Sequence, residues 1–178
     1  MKRHLPYLAL MTVVVLLDQV TKAIVVRSLS LHEYVPLVDG LLSFSHVRNR
    51  GAAFGLLSDW DVPYQSVLLS VLSLAALLAI AFYFVRLPKA ARLPRAALAL
   101  VLGGAFGNLI DRARLGYVVD FVHAYWRHHQ WPDFNVADSA ITVGVTLLVL
   151  DILRSPDASP AETKPGIDAA APTAGRID

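Results

Sequence analysis

Two aspartates stand isolated among apolar residues, Asp120 in "GYVVDFV" and Asp138 in "FNVADSAITVG". If they meet, they can do acid–base chemistry. Two carboxylates at about 3 Å cannot both ionise, so one pKa rises and the pair shares a proton. The charged member then takes a proton from water while the protonated member polarises a carbonyl. That is peptide hydrolysis without a covalent intermediate. Low dielectric beside a lipid boundary magnifies both the split in pKa and the electrostatic help. Each aspartate also has a plainer role open to it. Asp138 follows Asn135 by three residues, the place of a first-turn carboxylate favoured by a helix dipole. Asp120 reads as an outer-loop residue with no sequence-local cation, and a lone loop aspartate serves many turns.

Other costly groups gather at the same depth. Asp18 and Lys22 are four apart and share one helix face, the spacing of a structural ion pair. Asn108, Asp111 and Arg112 share a face at i, i+3 and i+4, with Asp111 and Arg112 placed to orient or neutralise their neighbours. Each ionisable residue within a membrane span costs about 2.5–3.5 kcal/mol at its centre on insertion scales, so such placement is informative. By contrast, the stretch Ile141–Leu150 and the middle of the second span hold no ionisable residue. His123, His128 and His129 lie near Asp120, but no H-x-x-x-H spacing on a helix and no cysteine makes a metal site of them. No metal or cofactor is expected.

The elements that must position these groups are membrane spans. The 178-residue chain is 56% hydrophobic, above the ~45–50% of soluble domains, with a mean hydropathy of +0.53. Its apolar residues fall in long blocks broken by charged or aromatic segments. Four spans are predicted, at about 5–26, 64–85, 96–112 and 136–153. The last two have apolar stretches of only Ala96–Ile110 and Val136–Leu150. Fifteen residues cover about 22 Å of a ~30 Å hydrocarbon core, so polar helix ends must be drawn into the bilayer. The first span follows a basic "MKRH" and has the look of a secretory segment, yet it runs on unbroken through "DQVTKAIVV" and is read as retained.

Orientation follows from short-loop lysines and arginines. Arg86, Lys89, Arg92 and Arg95 fill one loop with no acid, and Lys2, Arg3 and Arg154 fall on the same side. Both termini are therefore expected to be cytoplasmic, with the polar clusters and all three tryptophans (Trp60, Trp126, Trp131) at the outer face. Residues 31–57 hold an Asp39–Gly40 step between apolar-rich runs, a hairpin signal that predicts a small β-structure on the outer surface. Residues 1–154 make one membrane-embedded domain. The Pro- and Ala-rich segment 155–178 reads as a disordered cytoplasmic tail. A net charge of +2 without a basic, aromatic-laced run excludes nucleic acid as a partner. With no cysteine the chain cannot itself be a lipoprotein or use a thiol nucleophile.

Five blocks in order, "DQVTK" (18–22), "NRGAAFG" (49–55), "GGAFGNLIDR" (103–112), "VVDF" (118–121) and "FNVADS" (134–139), resemble the lipoprotein signal peptidases, or signal peptidase II. The resemblance covers residues 18–153. It implies a mainly α membrane protein of four transmembrane helices with an extramembrane β-cradle on the outer face. It implies Asp120 and Asp138 as a catalytic aspartyl dyad. Asn49, Asn108, Arg112 and Asn135 become polar residues around dyad and substrate. Asp18, Lys22 and Asp111 become supporting residues. The implied reaction removes the signal peptide of a prolipoprotein just before its diacylglyceryl-modified cysteine, at the outer face of the bacterial cytoplasmic membrane. The implied partners are that substrate and membrane lipid. The implied enzyme is metal-independent and sensitive to globomycin. Nothing in the sequence demands more than a monomer.

Two other classes fit less well. A serine–lysine peptidase could use Lys22 with Ser28, Ser30 or Ser139, but Asp18 at ion-pairing distance argues against a neutral lysine. Rhomboid-like G-x-S and presenilin-like G-x-G-D strings do not occur. A transporter would favour midplane polar groups, interrupted helices and repeats. This chain has its polar groups at one face and no repeat.

Overall fold

A computed structural model describes residues 4–51 and 64–154. Four features of the sequence reading lie outside these residues: the basic Lys2 and Arg3, Trp60, positions 52–57 of the segment 31–57 and the tail 155–178. Four helices, α1 (Leu5–Ser28), α2 (Gln65–Arg86), α3 (Arg92–Leu115) and α4 (Val136–Arg154), are each long and apolar enough to cross a membrane. α1 opens with a proline in its first turn, where a missing N–H costs nothing. The two spans with short apolar stretches extend through their polar ends. α3 has 24 residues and α4 has 19, about 36 and 28 Å at 1.5 Å per residue. The polar ends are therefore helical and carry the candidate side chains inward.

α3 is the hub. Within its apolar window 56% of residues are buried, against 11% for α2, and it packs on α1, α2 and α4. Small residues allow the approach, as in other membrane bundles, where close backbone contact replaces the hydrophobic drive. A Cβ on Gly107 would stand 2.6 Å from Asp18 Oδ2, and one on Gly144 2.6 Å from Ala97 O. A Cβ on Gly104 would collide with the carbonyl of Ala137. The long aliphatic side chains of α1, α2 and α4 instead face outward, exposed.

At the far end of the bundle from the α2–α3 connection lies one four-stranded antiparallel sheet in the order β1 (Tyr34–Val38), β2 (Leu42–Asn49), β3 (Val118–Trp126), β4 (His129–Gln130). The Asp39–Gly40 hairpin forms as expected, with Gly40 at φ +78° in the left-handed region that the turn requires. The sheet exceeds the expectation, because β3 and β4 come from residues read as loop. Asp120 is thus a strand residue, not a loop residue. Val118, Val119, Asp120 and Phe121 are all buried, so the strand lacks the in–out alternation that marks a half-exposed strand. Gly116, at φ +78°, ends α3 by giving its N–H to Arg112 O, and the chain turns directly into β3.

Candidate active site

Every candidate site residue of the sequence reading reaches one place, where the sheet-side ends of α1, α3 and α4 meet β2 and β3. The lower tier is built on Lys22. Its ammonium contacts Asp18 Oδ2 at 2.8 Å and Asp111 Oδ2 at 2.9 Å, and donates to Asn108 Oδ1 at 2.9 Å. An ammonium has three N–H donors, and all are engaged. The Asp18–Lys22 pair forms as its spacing predicts. Asp111 does not pair with Arg112, its sequence neighbour; it serves Lys22, and Arg112 Nη2 donates to Gly51 O at 3.0 Å. Adjacent helical residues point about 100° apart, so the neighbours diverge.

Both lower carboxylates also hold backbone. Asp18 Oδ1 accepts the N–H of Ala137 at 3.0 Å, satisfying an orphan donor in the first turn of α4. Asp111 Oδ2 accepts the N–H of Val119 at 3.1 Å. Ala137 and Val119 each immediately precede one of the two isolated aspartates. Gln19, which the sequence reading passed over inside "DQVTK", cross-links this tier. Its Nε2 reaches Asp111 Oδ1 at 2.9 Å, with Asp18 Oδ2 and Gly107 O each at 3.2 Å. Adjacency to Asp18 was the one available signal.

The upper tier holds Asp120 and Asp138. Asn135 Nδ2 donates to Asp120 Oδ1 at 2.7 Å, and Asn49 Nδ2 donates to Asp120 Oδ2 at 2.9 Å. Asn108 Nδ2 donates to Asp138 Oδ1 at 2.8 Å. Asn135 and Asp138 form a reciprocal cap on α4: Asp138 N–H donates to Asn135 Oδ1 at 3.0 Å, and Asn135 N–H to Asp138 Oδ2 at 3.2 Å. Asp138 is therefore a helix-capping carboxylate in its own right and also half of the polar pair. Burial, followed by the charge of Asp138, pushes the Asp120 carboxyl up to about 7, against the pull of the Asn49 and Asn135 amides and of Lys22.

Asp138 borders two openings. A cleft of about 460 Å³ runs between α2 and α3–α4, lined by Leu72, Ala76, Asn108, Arg112, Asp138 and Ile141. A smaller one of about 280 Å³ lies along α4 under Trp131 and Phe134. Among the described residues no group of three His, Asp or Glu side chains converges as metal ligands would. His123 instead faces Asp133.

The family model described as Signal peptidase (SPase) II matches residues 10–154. The chain belongs to the signal peptidase II family. It is 50% identical to the lipoprotein signal peptidase of Geobacter metallireducens over 138 residues, covering 78% of this chain and 84% of that protein. It is 44% identical to the lipoprotein signal peptidase of Acinetobacter baylyi over 148 residues, 83% of this chain and 82% of the relative. A solved bacterial membrane enzyme, determined in meso at 2.3 Å, superposes with a TM-score of 0.77 at 29% identity, over 89% of this chain and 94% of that one. A second, at 1.9 Å, gives a TM-score of 0.73 at 28% identity, over 84% and 93%. This signal peptidase II family member is thus a membrane protein with four spanning helices and a small sheet, as its motif blocks imply.

Proposed function

We propose that Asp120 and Asp138 are the catalytic dyad of an aspartyl lipoprotein signal peptidase. It cleaves a prolipoprotein just before the diacylglyceryl-modified cysteine. One observation supports this above the others. Two buried carboxylates, one of them (Asp138) bordering an apolar cleft, receive only amide donors among the described residues, while Lys22 beneath them is taken up by Asp18, Asp111 and the oxygen of Asn108. The pair shares one proton. A water between the carboxylates loses a proton to the charged oxygen as it attacks the scissile carbonyl, and the protonated member donates to that carbonyl oxygen. Collapse of the tetrahedral intermediate returns the proton to the leaving amine.

The remaining residues hold and orient. Asn49 and Asn135 fix both oxygens of Asp120, and Asn108 fixes Asp138. Asn108 Oδ1 accepts from Lys22 and from Asn135 Nδ2, so its NH₂ group is left for Asp138. Arg112, anchored on Gly51 O, lines the cleft and binds the substrate backbone beside the cut. The α2-side cleft takes the apolar signal peptide and its lipid from within the bilayer. Both termini face the cytoplasm, the dyad lies near the outer face, residues 1–154 act as a monomeric domain, and the tail is dispensable. Globomycin inhibits the enzyme, and no cofactor takes part.

Purified Asp120→Asn and Asp138→Asn variants assayed on a lipidated prolipoprotein peptide test the dyad. Each is expected to be inert, and wild-type cleavage by either refutes the assignment. A topology reporter placing residues 118–138 in the cytoplasm would overturn the orientation.

A further inference from the structure

A second polar cluster lies outside the dyad, on the connection between β3 and α4. Ser45 Oγ donates to Asp133 Oδ1 at 2.5 Å, and His123 Nδ1 stands 3.3 Å from the same oxygen. Ser45 is fully buried on β2, and His123 lies on β3 with the Tyr34 ring edge-on to it at 5.1 Å. Asp133 thus ties the connection to β2 by a hydrogen bond and stands beside His123 of β3.

Ser45 occupies an irregular point of the sheet. Phe44 pairs with Val122 but Val47 pairs with Asp120, so Ser45 and His46 together oppose Phe121 alone. Such a bulge re-aims every side chain beyond it. With the bulge, Asn49 pairs with Val118 and shares the face of Asp120, two residues along. Without it the register would put Asn49 opposite Tyr117, and alternation would send its amide to the other face. The reach of Asn49 to Asp120 Oδ2 therefore depends on this one extra residue. His46 is pinned separately, with Nδ1 at 2.9 Å from Leu29 O. Ser45 is held by Asp133, two residues before the Asn135 that grips the other oxygen of Asp120.

We propose that Asp133 is a positioning residue for the cleavage reaction, locking the β2 bulge to the β3–α4 connection so that Asn49 and Asn135 grip opposite oxygens of Asp120. The proposal rests on the dyad reading above. Asp133→Ala releases both segments, whereas Asp133→Asn keeps an acceptor for Ser45 and rescues.

The test measures kcat, KM and the pH profile of kcat on a lipidated prolipoprotein peptide, together with thermal unfolding, in the full-length enzyme. Asp133→Ala is expected to lower kcat roughly tenfold to a hundredfold with KM changed by less than about twofold, as misplacement near the chemistry does. The alkaline limb of its profile moves to higher pH, because an amide donor favouring charged Asp120 is loosened and that carboxyl holds its proton longer. Ser45→Ala, which removes less, moves both quantities in the same direction and serves if Asp133→Ala does not fold. Tyr125→Phe, which breaks the neighbouring Ser43–Tyr125 contact of 3.3 Å, leaves both unchanged. A folded Asp133→Ala or Ser45→Ala enzyme with the wild-type kcat and profile overturns the proposal. So does an Asp133→Asn enzyme as impaired as Asp133→Ala. Asp120→Asn, run alongside, separates the two claims. If it is inert while Asp133→Ala is normal, only the positioning role fails; if it is active, the dyad fails and this proposal with it.

Discussion

The Lys22 tier and the Asp120–Asp138 tier each bury two aspartates, with opposite electrostatic outcomes. Below, Asp18 and Asp111 share one ammonium, and each also accepts a backbone N–H of the strand or helix above. Above, Asp120 and Asp138 receive amides and, among the described residues, no direct cation. A buried charge that is paired and fully hydrogen-bonded is a fixture, whereas two carboxylates that share a proton, as we propose for this pair, are poised to move one. Residue type and burial do not separate the tiers; the partners do. Asn108 joins them, with its oxygen toward Lys22 and its NH₂ toward Asp138.

Substitutions can break this contrast. Lys22→Met leaves Asp18 and Asp111 facing one another unpaired, a loss of about 3–5 kcal/mol of the kind seen when one partner of a buried ion pair is removed. The melting temperature should fall by roughly 10 °C and activity with it. Unchanged melting with lost cleavage would instead make the lower tier part of the chemistry. Asn108→Ala cuts the joint between tiers and is expected to lower kcat about a hundredfold, with a smaller fall in melting temperature. Asn49→Ala removes one of two amides on Asp120 and should lower kcat about tenfold, measured by initial rates in the same assay.

The pH profile sharpens the contrast further. With the Asp120 carboxyl pushed up to about 7, the proposed dyad keeps its shared proton below that value and loses it above. The rate should therefore fall as pH rises through about 7. Raising that carboxyl further, by removing an amide that favours its charge, should move the fall to higher pH.

Much of the bundle was legible in the sequence because membrane spans are written in long apolar blocks that need no partner to be recognised. The polar ends of α3 and α4 could be anticipated from the shortness of their apolar stretches. The Asp39–Gly40 step gave the hairpin for the same local reason. β3 was not legible. "VVDFVHAYW" has no alternation, since both faces of its first half are buried, and its pairing partner β2 lies about 75 residues away in sequence. The same long-range pairing hid the bulge, Ser45 and Asp133. Asp111 was legible as a group that neutralises a neighbour, but its partner Lys22 was not, because that residue lies on another helix. The spacing of Asn135 and Asp138 was compatible with a cap or with an active carboxylate, and the structure places it in a cap that also borders the cleft.

The central claim is that Asp120 and Asp138 act as one proton-sharing unit, and a double-mutant cycle tests it most directly. Initial rates on a lipidated prolipoprotein peptide would be measured for Asp120→Asn, Asp138→Asn and the double variant, each with its thermal unfolding. Groups that act as a unit are grossly non-additive, so each single variant should lose at least about 10³ in kcat and the double variant little more. All three should unfold cooperatively near the wild-type temperature. Losses that multiply in the double variant, or wild-type cleavage by either single one, would contradict the account.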